Sequence, residues 1–80
     1  MLLPSKHVNF SESLLGFGSY LLQILDRPLS VDELWKKYLA DLNNELYFAK
    51  QSFDNLVLTL IFLYSVQAIK EEKGLIIKCN

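Results

Sequence analysis

The six residues Leu29-Ser30-Val31-Asp32-Glu33-Leu34 constrain this chain more than any other stretch. Ser30 and Glu33 stand at capping-box spacing, in which each side chain satisfies a free backbone N–H at the other's position as a helix begins. Leu29 and Leu34 bracket them as a hydrophobic staple. A helix therefore follows Ser30, and whatever precedes it must stop before Asp26-Arg27-Pro28. The helix that follows is amphipathic. Leu34, Trp35, Tyr38 and Leu42 form one stripe, while Asp32, Glu33, Lys36, Lys37 and Asp41 occupy the other faces.

Two more helices can be placed around this one. The first starts at Glu12 or Ser13 with Ser11 as its N-cap, and carries Leu14, Phe17, Tyr20, Leu21, Ile24 and Leu25 on its core face. Leu15 and Leu22 lie on a different face. Gly16 and Gly18 weaken this helix by roughly 1 kcal/mol each relative to alanine. They point to close helix packing, because a phosphate loop needs a preceding strand that is missing here. The third helix is capped by Ser52. Phe53, Leu56, Val57, Leu60 and Tyr64 share its core face, with Ile61 and Leu63 at the edges. Residues 43–51 could extend the second helix, make a short turn or form a loop, and Asn43-Asn44 favours a break.

After the third helix, Ala68-Ile69-Lys70-Glu71 and Leu75-Ile76-Ile77-Lys78 are two short β-prone runs around a polar turn ending in Gly74, which is a hairpin signal. The predicted fold is mainly α with a small β-hairpin: a winged helix of three helices and a C-terminal wing. Pro28-Leu29 supplies a short extended piece between helices one and two. A plain three-helix bundle with a frayed tail is the alternative. The β-branched Ile69, Ile76 and Ile77 favour the wing. Residues 1–80 make one domain, with 1–10 as an extended N-terminal segment.

Composition narrows the function. The chain is 51% hydrophobic and 21% charged, which suits a packed domain. Eight Lys and Arg against nine Asp and Glu leave a net charge of −1, so no bulk positive field draws it to nucleic acid or acidic lipid. The longest apolar run, Leu56 to Tyr64, is less than half the roughly 20 residues of a membrane span. With Pro4 interrupting the N-terminal residues, no signal peptide is expected. One cysteine and one histidine exclude a disulfide framework and a Cys/His zinc site within one chain, so the expected location is cytoplasmic with no metal and no cofactor.

Nothing assembles catalytic chemistry. His7 and Cys79 sit near the two ends, where geometry is poorly held. The acidic pairs Asp32/Glu33, Asp41/Glu45 and Glu71/Glu72 belong to polar faces and turns. No enzyme is expected. DNA binding is disfavoured too. A winged helix would read DNA with its third helix, whose outward face carries Asp54, Asn55, Leu58, Thr59, Phe62, Ser65 and Val66. No Lys or Arg stands between Lys50 and Lys70, so phosphate neutralisation is nearly missing. Leu58, Phe62 and Val66 on helix three, with Leu15 and Leu22 on helix one, form apolar stripes off the core faces. They are the candidate partner-binding residues.

Three blocks carry a family resemblance. They are Leu3-Pro4-Ser5-Lys6-His7 with Ser13-Leu14-Leu15-Gly16-Phe17-Gly18; Leu29 to Trp35; and Ser52 to Leu58 with Leu63-Tyr64, Ala68-Ile69 and Gly74-Leu75. Together they resemble the small winged-helix middle components of bacterial ABC-three-component systems. Two features depart from that pattern: Gln67 stands where the family carries glycine, and 43–51 reads as an insertion. The resemblance implies a non-catalytic adaptor beside a coiled-coil, chromosome-maintenance-like ABC ATPase and a second larger component, in defence against phage and other invading DNA. The alternative is a DNA-binding winged-helix regulator, and a third reading is a homodimer pairing its stripes across a two-fold axis.

Overall fold

A computed structural model describes residues 14–46 and 50–79. The expected N-cap at Ser11 and the extended segment 1–10 lie outside these residues. Three helices, α1 (Leu14–Ile24), α2 (Val31–Asn43) and α3 (Phe53–Ser65), are followed by the strands β1 (Ile69–Glu72) and β2 (Leu75–Lys78). The fold is mainly α with a small hairpin in a winged-helix-like layout.

The expected capping box forms. The Glu33 N–H donates to Ser30 Oγ at 3.1 Å, and the Ser30 N–H donates to Glu33 Oε1 at 2.8 Å. The staple residues Leu29 and Leu34 are both buried in the core. The Ser30 N–H and hydroxyl hold the Glu33 carboxyl below its usual range. Ser52 caps α3 by accepting the Asn55 N–H at 3.1 Å.

β1 and β2 pair antiparallel, with Ile69 opposite Lys78 and Glu72 opposite Leu75. Lys73 (φ 55°) and Gly74 (φ 81°) make the two-residue connection, both with the positive φ that a type I′ turn requires. On the other side of β2, the Leu29 N–H donates to the Ile76 carbonyl at 3.1 Å and the Ile76 N–H returns the bond at 2.7 Å. Leu29 thus acts as the third strand position and ties the wing to the α1–α2 connection.

Both α2 and α3 end in Schellman motifs. After α3, the Ala68 N–H donates to the Leu63 carbonyl and the Gln67 N–H to the Tyr64 carbonyl, with Gln67 in the left-handed region at φ 64°. After α2, Leu46 donates to Asp41 and Glu45 to Leu42, with Glu45 at φ 59°. The break expected at Asn43-Asn44 is this cap, which resolves the start of 43–51.

The core gathers Phe17 and Leu21 from α1, Leu34 and Tyr38 from α2, Leu56, Leu60 and Leu63 from α3, and Leu25, Leu29, Ile69 and Ile76. Aromatic contacts join all three helices. Tyr38 meets Phe17 edge-on at 5.4 Å and Trp35 at 5.2 Å, and Trp35 meets Phe53 edge-on at 5.5 Å. Burial pushes the Tyr38 hydroxyl pKa up, although the Gln51 N–H donated to it acts in the opposite direction.

Several core assignments need correction. Phe53, Val57 and Tyr64 on α3 and Leu14 on α1, expected in the core, are exposed. Thr59, expected to face outward, is fully buried, its hydroxyl donating to the Asn55 carbonyl at 2.7 Å. The reason is Gly18. It packs α1 so close to α3 that an added Cβ would stand 3.2 Å from Leu63 Cδ2 and 3.6 Å from Thr59 Cγ2. The approach rotates the buried arc of α3 toward Thr59 and Leu63, leaving the far edge of the apolar arc uncovered.

Candidate functional site

The seam between α1 and α3 organises the surface that could carry function. On α1, Leu15, Gly18 and Leu22 share one face by helical period. Gly18 rests against Thr59 and Leu63 of α3, so Leu15 and Leu22 flank the contact. On α3, Phe62 and Val66 neighbour Thr59 and Leu63 along the i+3 and i+4 rows, and Leu58 follows beyond Phe62.

The five candidate partner-binding residues fall into two groups. Leu15 (60% exposed), Leu58 (57%) and Val66 (56%) present most of their side chains to solvent. Leu22 and Phe62 are half-buried and pack against the core. They form the base of the surface rather than its outermost points.

A second apolar strip on α3 was hidden in the sequence. Phe53, Val57, Ile61 and Tyr64 are all exposed. Periodicity had assigned most of them to the core because they adjoin Leu56 and Leu60. The signal that could have found them is that α3 is apolar almost all round, in a chain with few elements to cover it. Val57, Ile61 and Tyr64 line an apolar groove of about 250 Å³ with Val31, Ile69 and Ile76.

The polar groups on α3 do not assemble a nucleic-acid reader. The one adenine-reading candidate, Asn55, already donates from Nδ2 to Gln51 Oε1 at 3.0 Å. Asp54 opens the helix with a negative charge. Two lysines that could have met phosphate are engaged at the end of α1: Lys78 Nζ donates to the Leu22 carbonyl at 3.2 Å and Lys37 Nζ to the Ile24 carbonyl at 3.4 Å. The wing pairs Lys70 with Glu72 at 3.4 Å.

Cys79 is half-buried just past β2, its N–H donating to the Ala68 carbonyl at 2.9 Å. His7 lies outside the described residues. Among the described residues, no helix is long and apolar enough to cross a membrane.

The model of one protein family, described as ABC-three component (ABC-3C) system Middle Component 6, matches residues 3–79. No curated protein and no solved structure matches the chain significantly. The match takes in α1, the capping box, α3 and the hairpin, so the resemblance carried by the three sequence blocks extends over nearly the whole chain. The chain belongs to the middle-component family, as one component of a multi-component ABC system.

Proposed function

We propose that this middle component is a non-catalytic adaptor, acting in the cytoplasm, that joins a coiled-coil ABC ATPase to the other large component of its system in defence against invading DNA. The observation that carries the reading is the exposure of the apolar residues Leu15 on α1, Leu58 on α3 and Val66 at its C-cap, with Leu22 and Phe62 half-buried against the core. An apolar face on so small a domain favours burial against another polypeptide. A helix α3 without a single cation supports the same reading over DNA contact.

The test is co-purification of the whole chain with the ATPase and the second component encoded beside it. Leu58→Glu and Leu15→Glu should each abolish capture while the far-UV circular dichroism stays unchanged. They are sharper probes than Phe62→Glu, because Phe62 also packs on the core. Undiminished capture by both variants refutes the assignment. A duplex DNA titration is the second arm. The adaptor reading expects no binding at low salt, whereas binding that weakens steeply with salt would replace it with a DNA-binding regulator, which the winged-helix-like layout would suit.

A further inference from the structure

We draw no further inference here: the strongest candidate, the exposed apolar strip of Phe53, Val57, Ile61 and Tyr64 along α3 with the groove it shares with the hairpin, carries nothing because nothing in the structure shows what covers it.

Discussion

Gln67→Gly should stabilise this protein, although it removes a side chain. Gln67 occupies the left-handed position of the Schellman motif after α3, at φ 64°, where its N–H reaches the Tyr64 carbonyl and its neighbour Ala68 reaches Leu63. A residue with a Cβ costs about 1–2 kcal/mol in this conformation. Glycine avoids that cost but gives the unfolded chain more freedom, which takes back about 0.4–1 kcal/mol. The side chain is exposed, so little buried surface is lost. The net expectation is a gain of about 0.5–1 kcal/mol, or roughly 2–8 °C in Tm for a domain of this size. Urea and thermal unfolding, followed by circular dichroism, measure it directly. Gln67→Ala serves as the control and should stay within about 0.5 kcal/mol of the parent, since alanine meets the same strain. If Gln67→Gly is neutral or destabilising, the strain argument is wrong and the Gln67 side chain contributes to the cap.

Three further outcomes follow from local geometry. Gly18→Val should destabilise by about 2–3 kcal/mol, because its added atoms enter the space held by Thr59 and Leu63, 3.2–3.7 Å from the first added carbon; chemical unfolding reads it. Ser30→Ala should cost about 1 kcal/mol in the same assay by freeing the N–H of Glu33. Because the Ser30 N–H and hydroxyl lower the Glu33 pKa in the folded state, stability from this contact is complete above the ordinary carboxylate value and is lost as pH falls through the lowered one. Glu33→Gln should flatten that acid-side slope of Tm against pH.

The local signals in the chain were reliable wherever neighbours in sequence supplied both partners. Ser30 with Glu33, Ser52 with Asn55, and the Lys73-Gly74 turn are of this kind. The glycine expected near 67 was also informative, since the backbone there adopts the positive φ that glycine favours even though glutamine occupies it. Gly18 likewise marked a close helix contact, although the sequence could not say with which residues.

The faces of α3 were decided elsewhere. Its apolar residues extend too far round the helix for period alone to choose which arc is buried. That choice rests on where α1 and the hairpin lie: Gly18 draws in Thr59, while Phe53, Val57 and Tyr64 have no element over them that buries them. Helix starts, the hairpin turn and the absence of cations on α3 were properties of the chain, because each depends on residues a few positions apart. Which apolar side chains remain for a partner was a property of the tertiary structure, because burial depends on what packs against a surface and not on the surface alone.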